Sequence, residues 1–159
     1  MSTPNIVFTR VDNRLVHGQV GVVWTAAVEE NLLLVANDEV ANSELQQELM
    51  AATAENSNVG IRFWTLEKTI KTIHKAAPRQ KIFIVIKTPE DALTLVKGGV
   101  PIKAVNLGNM HYSDGKTQIS KKVFVDQKDR DAINQLIAQD VEVFIQDTPD
   151  DKKEILKSL

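Results

Sequence analysis

Residues 10–20, RVDNRLVHGQV, bring together side chains that bind phosphate and move protons. Arg10 and Arg14 carry guanidinium groups, which stay charged and bind phosphate through paired N–H donors. His17 carries an imidazole, and a neutral imidazole has a lone pair that can attack phosphorus. Asp12 can accept a hydrogen bond from that imidazole, which fixes its tautomer, or from an arginine. This combination indicates a site at which phosphate is bound or carried.

The residues after His17 strengthen this interpretation. Gly18 begins a stretch with helical spacing, so His17 is predicted at a helix N-terminus, where backbone N–H groups and the helix dipole favour anions. Three interpretations remain open from these residues alone. The histidine can help to bind a phosphate, it can carry one covalently, or the cluster is a capping network at a strand–helix junction.

Other phosphate chemistry lacks its usual sequence signals. The chain has no Walker-type GxxxxGK[ST] sequence and no carboxylate cluster typical of a magnesium site. We therefore expect neither a bound metal nor ATP as a phosphoryl donor at this site. The arginines and the helix N-terminus are expected to neutralise the phosphoryl oxygens instead.

Short apolar runs alternate along the chain with stretches of helical spacing. The predicted strands are residues 6–9, 32–36, 60–64, 81–86, 104–107, 122–125 and 142–145. The predicted helices are residues 19–30, 43–54 with Ser43 as N-cap, 66–76, 88–98 with Thr88 as N-cap, 127–139, and a last one from 148 to the end. Residues 106–121 are predicted to form one long loop. This order predicts an α/β fold with an open, twisted, mainly parallel sheet of about seven strands and helices on both faces. We expect a single domain over residues 1–159.

Two segments follow predicted strands and contain polar side chains. One is residues 10–19, and the other is residues 107–115, LGNMHYSDG. Ligands of such sheets bind at the carboxyl ends of the strands, so both segments are candidates for the functional site. His111 lies in the second segment and either lines the site or is a solvated loop residue. His74 is predicted to cap the end of its helix.

Composition excludes several classes of function. The chain has 159 residues, a formal net charge of −2 and no cysteine, which excludes disulfides, cysteine zinc sites and thiol nucleophiles. The charge gives no reason to expect nucleic-acid binding. The apolar runs are shorter than the ~20 residues that span a bilayer, and residues 1–5 do not resemble a signal peptide. We expect a cytoplasmic protein that meets a membrane only through partners.

Residues 10–20 closely resemble the motif R-[IV]-D-[DN]-R-L-[IV]-H-G-Q-V, with which the enzyme IIB subunits of the mannose–fructose–sorbose family of the bacterial sugar phosphotransferase system begin. The later sequence AVNLGNMHY at residues 104–112 is also similar to that family. The resemblance spans essentially the whole chain. Among subfamilies, the chain is most similar to the N-acetylgalactosamine/galactosamine type.

The resemblance implies a role for each site residue. His17 falls on the family's phosphorylated histidine, which usually carries phosphate on Nδ1, and Arg14 falls on the active-site arginine. Many members have a second aspartate where this chain has Asn13, which removes one charge. The other implied residues are Asp12 and Arg10 in catalysis, and Gly18, Gln19, Asn109 and Met110 in phosphate binding.

The resemblance also implies partners and a reaction. A IIA protein or domain donates a phosphoryl group to His17, which passes it to a sugar held by the membrane subunits IIC and IID. The sugar is a hexose or an amino sugar, with N-acetylgalactosamine as the candidate, and no cofactor is needed.

Two alternatives follow from the residues. A histidine phosphatase or mutase has arginine directly before the histidine, whereas Leu15 and Val16 intervene here. A nucleotide- or phosphate-binding regulatory domain without covalent phosphorylation is compatible with the fold, although no dinucleotide-type glycine fingerprint follows the first strand.

Overall fold

The computed structural model describes residues 3–159, without the side chains of Gln19 and Asn56. The strands are β1 (Asn5–Asp12), β2 (Leu32–Ala36), β3 (Gly60–Trp64), β4 (Lys81–Ile86), β5 (Ala104–Asn109), β6 (Thr117–Ser120), β7 (Val123–Val125), β8 (Glu142–Ile145) and β9 (Glu154–Leu156). The α-helices are α1 (Thr25–Val28), α2 (Asp38–Ala41), α3 (Glu44–Ala54), α4 (Leu66–Thr72), α5 (Pro89–Lys97) and α6 (Gln127–Ala138). A π-helical segment (Gln19–Trp24) leads into α1, and 3₁₀ turns follow α3 (Glu55–Ser57) and α4 (Ile73–Lys75).

Seven strands form one sheet in the order β3-β2-β4-β1-β5-β8-β9. All neighbours pair in parallel except β8 and β9, which are antiparallel. The predicted α/β class with a mainly parallel seven-stranded sheet is therefore confirmed. β1 lies at the centre of the sheet, between β4 and β5. This places the segment that follows β1 in the middle of the sheet's carboxyl edge.

Successive residues of the central strands pack into two different hydrophobic clusters. Leu34 and Ile84 belong to a cluster that includes residues of α5 and α6. Leu33 and Phe83 belong to another cluster, which includes Trp24 of the π-helical segment. Because side chains alternate between the two faces of a strand, the strands must be apolar at nearly every position. Helices cover both faces of the sheet, as predicted.

The predicted helix from residue 148 is wrong. Residues Thr148 to Asp151 form a turn, in which the Asp151 N–H donates to the Thr148 carbonyl at 3.0 Å. The chain then forms β9, which pairs with β8 through Val143 and Leu156. Thr-Pro-Asp-Asp suits a turn as well as a helix start, and the backbone hydrogen bonds offered by the edge of β8 favour the strand.

The region around residues 106–125 also differs from the prediction. β5 continues to Asn109, and β6 forms within the predicted loop. The predicted strand at 122–125 exists as β7, but it pairs antiparallel with β6 in a separate two-stranded sheet. The seventh strand of the main sheet is therefore β9 and not the segment at 122–125.

Several local predictions are confirmed. The four strands predicted at 32–36, 60–64, 81–86 and 142–145 have the predicted bounds. The hydroxyls of Ser43 and Thr88 cap α3 and α5 by accepting from the backbone N–H groups of Gln46 and Asp91. The predicted helix 19–30 begins as a π-helix and ends at Glu29, whose φ of 61° is left-handed. The exposed His74 lies in the turn that ends the α4 segment.

Candidate functional site

The two predicted site segments meet at the carboxyl ends of β1 and β5. Asp12, the last residue of β1, lies in register with Asn109, the last residue of β5. The Asn13 N–H donates to the Asn109 carbonyl at 2.9 Å. The chain after β1 continues to β2, which lies beyond β4 in the strand order. The chain after β5 continues through β6 and β7 to β8, which lies in the opposite direction along the sheet. The segments therefore meet at the topological switch point, where open α/β sheets bind ligands.

His17 is hydrogen-bonded to Asp12 at this point. His17 Nε2 lies 2.9 Å from Asp12 Oδ2, and the imidazole is 18% exposed while the carboxylate is fully buried. An ionised carboxylate only accepts, so Nε2 must donate, which leaves the lone pair of the neutral ring on Nδ1. No other described side chain or backbone group hydrogen-bonds Nδ1. The geometry therefore fixes the tautomer and leaves Nδ1 available as a nucleophile.

A tight turn folds His17 back over Asp12. The Leu15 N–H donates to the Asp12 carbonyl at 2.9 Å, and the Arg14 N–H donates to Asp12 Oδ1 at 3.0 Å. Leu15 has a φ of 58°, a left-handed conformation that is uncommon for a residue with a branched side chain. Its side chain is 3% exposed within one of the two hydrophobic clusters, and this burial stabilises the unusual backbone. No sequence pattern indicates this role of Leu15.

Arg10 lies beneath Asp12 and is completely buried. Its Nε and Nη2 lie 3.4 and 3.3 Å from Asp12 Oδ2, and its Nη1 donates to Asn106 Oδ1 at 2.7 Å and to the Gln146 carbonyl at 3.0 Å. The guanidinium carbon also lies 5.2 Å from the centroid of the Trp24 ring. We expected this arginine to face a phosphate from the end of the strand. The structure places it on the protein side of Asp12, because β1 carries it into the sheet interior.

Gly108 makes room for the buried guanidinium. A Cβ atom at this position would lie 2.0 Å from Arg10 Cζ. Gly108 and Asn109 lie within the loop predicted at residues 106–121, whereas both belong to β5. A glycine within a strand is typical of a close approach by another group, and this was the signal that could have indicated the contact.

Arg14 is the exposed arginine of the site, with 44% of its side chain accessible. With the Asn109 amide oriented so that its oxygen faces the guanidinium, Asn109 Oδ1 accepts from Arg14 Nε at 3.1 Å and from Nη2 at 2.7 Å. Arg14 Nε also lies 3.9 Å from Asp12 Oδ1. Asn109, predicted to bind phosphate, contacts the arginine fork and thereby orients it.

The groups around Asp12 counteract the effect of burial on its pKa. Burial raises the pKa of this carboxyl group, but the hydrogen bond and charge of His17, the Arg14 N–H and the Arg10 charge together lower the pKa below its ordinary value. Burial lowers the pKa of Arg10, and the adjacent Asp12 opposes this effect. The lowered pKa favours the ionised form of Asp12, which accepts a hydrogen bond from His17.

Three further predicted site residues differ in their placement. Gly18 is exposed at the start of the π-helical segment. The side chain of Gln19 lies outside the described part of the structure. Met110 is 1% exposed, its N–H donates to the Lys122 carbonyl, and its carbonyl accepts from Phe124. The prediction that Met110 binds phosphate is therefore not supported, because its side chain belongs to the core and its backbone groups to the β6–β7 region.

Asp147 and His111 complete the surroundings of the site. Asp147 lies 3.9 Å from Arg10 Nη2 and 2.8 Å from Lys122 Nζ, and its carbonyl accepts from Trp24 Nε1 at 3.0 Å. No motif in the sequence indicated that Asp147 lies at the site. His111 is exposed, and its backbone N–H donates to Asn13 Oδ1.

The described part of the chain, residues 3–159, contains no group of three or more His, Asp or Glu side chains that could hold a metal ion. Within the same residues, no helix has both the length and the apolar character needed to cross a membrane.

Comparison with known proteins gives a consistent result. The chain is 56% identical over 154 residues to the N-acetylgalactosamine-specific phosphotransferase enzyme IIB component 1 of Escherichia coli K12. The matched residues cover 97% of this chain and 98% of the relative. The crystal structure of the Escherichia coli N-acetylgalactosamine-specific IIB component 1 matches with a TM-score of 0.93 and 55% identity, over 96% of this chain and 99% of that one. A mannose-specific EIIAB component of Escherichia coli K12 is 32% identical over 93% of this chain and 46% of its own length.

The family model for the sorbose-subfamily IIB component of the phosphotransferase system matches residues 6–159. This range begins in β1 and includes the whole of the site described above. The resemblance read from residues 10–20 is therefore confirmed. The chain belongs to the sorbose-subfamily IIB components of the sugar phosphotransferase system.

Proposed function

We propose that this protein carries a phosphoryl group on His17 between a IIA donor and a sugar. The observation that carries the proposal is the 2.9 Å hydrogen bond between His17 Nε2 and the buried Asp12 carboxylate. This bond holds the ring in the tautomer whose Nδ1 lone pair faces away from Asp12. A nucleophile oriented by a second group has the arrangement that covalent catalysis requires.

In the proposed first step, His17 Nδ1 attacks the phosphorus of a phosphohistidine on the donor. The Nδ1–P bond forms as the P–N bond of the donor breaks, and the electron pair of that bond returns to the donor imidazole. His17 becomes positively charged while its Nε2–H still donates to Asp12, which stabilises the charge. In the second step a sugar hydroxyl attacks the phosphorus as the P–Nδ1 bond breaks. The electron pair of that bond returns to Nδ1, which makes His17 neutral again, and the hydroxyl proton passes to solvent.

Transfer of a phosphoryl group depends mainly on positioning and on neutralising the equatorial oxygens. Arg14 is the exposed cation beside His17, and we propose that its guanidinium binds these oxygens while Asn109 orients it. We propose that the backbone N–H groups at the start of the π-helical segment, at Gly18 and Gln19, are further donors. Arg10 acts through Asp12 as a positioning residue.

The partners follow from the family and from the names of relatives. A related protein is named as a mannose-specific EIIAB component, and this chain corresponds to only 46% of its length, which supports a separate IIA protein or domain as the donor. Membrane subunits of the IIC and IID type are the proposed sites of sugar presentation. The relatives named as N-acetylgalactosamine-specific support that amino sugar as the acceptor. In this scheme the chain works as a single domain, residues 1–159, at the cytoplasmic face of the membrane.

The proposal is tested by intact-mass measurement after incubation with phosphoenolpyruvate, the general upstream phosphotransferase proteins and an N-acetylgalactosamine-type IIA. We expect one phosphoryl group on the wild type and on His111→Ala, and none on His17→Ala. The label should be lost in acid and kept in base, as is typical of a phosphohistidine. An unlabelled wild type beside a phosphorylated IIA, or a labelled His17→Ala variant, would reject the proposal. Binding of nucleotide without labelling would instead favour a regulatory domain.

A further inference from the structure

We propose that Asn13 is a positioning residue whose hydrogen bonds fasten the loop at residues 110–116, after β5, to the turn that carries His17. The neutral Asn13 side chain also preserves an excess of positive charge in the site for the phosphoryl group. The first part concerns structure alone. The second part rests on the proposed function, because it assumes that a phosphoryl group reaches His17.

Asn13 joins the ends of three strands. It directly follows β1, and its backbone N–H donates to the Asn109 carbonyl at the end of β5 at 2.9 Å. Its Nδ2 lies 3.4 Å from the carbonyl of Lys87, which directly follows β4. Its Oδ1 accepts from the backbone N–H of His111. These three bonds fix the position of the loop at 110–116 relative to the turn that carries His17.

The amide makes these contacts in a way that a carboxylate cannot. One end of the Asn13 side chain accepts from an N–H group, and the other end donates to a carbonyl oxygen. Aspartate could accept from His111 in the same way, but its second oxygen would face the Lys87 carbonyl oxygen without a hydrogen between them. The contacts therefore favour asparagine over aspartate at this position.

The loop that Asn13 holds borders the site. Asn109, directly before it, contacts the Arg14 guanidinium. Tyr112 in the loop is 62% exposed and packs its ring edge-to-face on Phe124 at a centroid distance of 5.7 Å. His111 and Tyr112 are thus exposed side chains on a backbone segment that hydrogen bonds fix. Loss of the Asn13 side-chain bonds would remove the direct link between His111 and the turn that carries His17.

The charge balance of the site gives Asn13 its second role. Connected ion pairs join three cations, Arg10, Arg14 and Lys122, with two carboxylates, Asp12 and Asp147. With a neutral imidazole, these five groups have one positive charge in excess. A carboxylate at position 13 would cancel that excess and oppose the negative phosphoryl group. Asparagine keeps the acceptor for His111 and adds no charge.

Hydrogen exchange of the wild type tests the fastening directly. We expect the His111 amide to exchange at least tenfold more slowly than in an unstructured peptide, although the residue is exposed. Exchange at the peptide rate would overturn the proposed fastening. In Asn13→Ala, which removes both side-chain bonds, we expect this protection to be lost. In Asn13→Asp, which keeps the acceptor, we expect it to persist.

The equilibrium of phosphoryl transfer to His17 tests the proposed role of the neutral Asn13 side chain. At equilibrium with a phosphorylated IIA at low ionic strength, we expect His17 occupancy, expressed as an equilibrium constant, to fall roughly threefold or more in Asn13→Asp. High salt should reduce this deficit, because salt screens a charge effect. The change in Asn13→Ala should not depend on salt. Asn42→Asp and Asn42→Ala, made at an exposed turn between α2 and α3, are the matched controls.

The outcomes separate the two proposals. An Asn13→Asp variant that matches the wild type at low salt, or whose deficit does not respond to salt, would overturn the charge role. A wild type that takes no phosphate would overturn the proposed function, while the His111 exchange rate would still decide whether Asn13 fastens the loop.

Discussion

The guanidinium of Arg10 lies directly against the backbone of Gly108, so that a Cβ atom on Gly108 would be 2.0 Å from Arg10 Cζ. No side chain fits between them, and the same guanidinium hydrogen-bonds Asp12 and Asn106. β1 and β5 therefore approach each other around a buried cation. The orientation of Asp12, and through it that of His17, depends on this contact.

Gly108→Ala should destabilise the protein and impair phosphoryl transfer together. The added methyl group must displace the buried guanidinium or the β5 backbone, and overpacking of this kind costs about 1–3 kcal/mol or more. Urea denaturation measures the free energy of unfolding, and the mass assay measures transfer. Gly60→Ala is the control, since the nearest atom to its Cβ is a flexible Leu32 methyl group at 3.4 Å. Equal stability of the two variants would contradict this account of Gly108.

Arg14→Lys should slow transfer without changing stability. Lysine keeps the charge but loses the planar fork that Asn109 contacts at two nitrogens. Loss of one charge-assisted hydrogen bond is worth about 1.5–3 kcal/mol, so we expect a rate roughly ten- to hundredfold lower. Rapid-quench measurement of phosphoryl transfer checks this rate. Arg62→Lys, at an exposed position on β3, should transfer at the wild-type rate; a similar slowing there would point to a general effect of lost arginine.

Asp12→Asn should cost about 3–5 kcal/mol of unfolding free energy, because it removes the nearer of the two carboxylates that pair with the buried Arg10. Its effect should also depend on pH. The pKa of Asp12 in the folded protein is lowered below its ordinary value of 3.8, so the carboxylate's contribution is complete above that value. That contribution is lost as pH falls through the lower, folded-state pKa.

The gap between wild type and Asp12→Asn should therefore narrow below about pH 3.8 and stay constant above it. Denaturation midpoints measured from pH 3 to pH 7 check this. Asp140→Asn serves as the control, at an exposed position with a left-handed φ of 62° that suits asparagine. A gap that widens in acid would contradict the assignment of Asp12 as an ionised acceptor.

Glu30→Gln should stabilise the protein near neutral pH. The Glu30 side chain is 5% exposed, Thr25 Oγ1 lies 3.0 Å from its Oε2, and its Oε1 has no partner among the described residues. Burial raises its pKa above the ordinary 4.5, although the hydrogen bond from Thr25 opposes this. The folded protein therefore loses stability as pH rises from about 4.5 through the raised pKa.

Glutamine removes this titration. At pH 7 the free energy of unfolding of the variant should therefore exceed that of the wild type by more than the ~0.5 kcal/mol of an ordinary surface change, and below pH 4.5 the two should be equal. Thermal unfolding at the two pH values measures the gain. Glu29→Gln, at the exposed neighbouring position, should show no gain at either pH. A gain that is the same at both pH values would exclude titration of Glu30 as its source.

Strands and helix caps are predictable from the sequence because each depends on residues close to it in the chain. Strands buried on both faces are apolar at nearly every position, which is why residues 32–36, 81–86 and 142–145 are predicted with the correct bounds. Caps such as Ser43 and Thr88 act on N–H groups three residues away. The helix predicted from residue 148 is wrong for the opposite reason. Its conformation depends on the open edge of β8, which lies outside the segment itself.

The sequence by itself determined the α/β class, the family and the histidine to examine, because apolar periodicity and a contiguous motif are properties of neighbouring residues. Only the tertiary structure decided what each motif residue does. Arg10 and Arg14 are the same residue type four positions apart, yet one is fully buried and the other is exposed. That difference arises from Asn106, Gly108 and Asn109, about a hundred residues away, which β5 brings beside β1. Pairing of distant strands is a long-range property, so no local pattern could assign these roles.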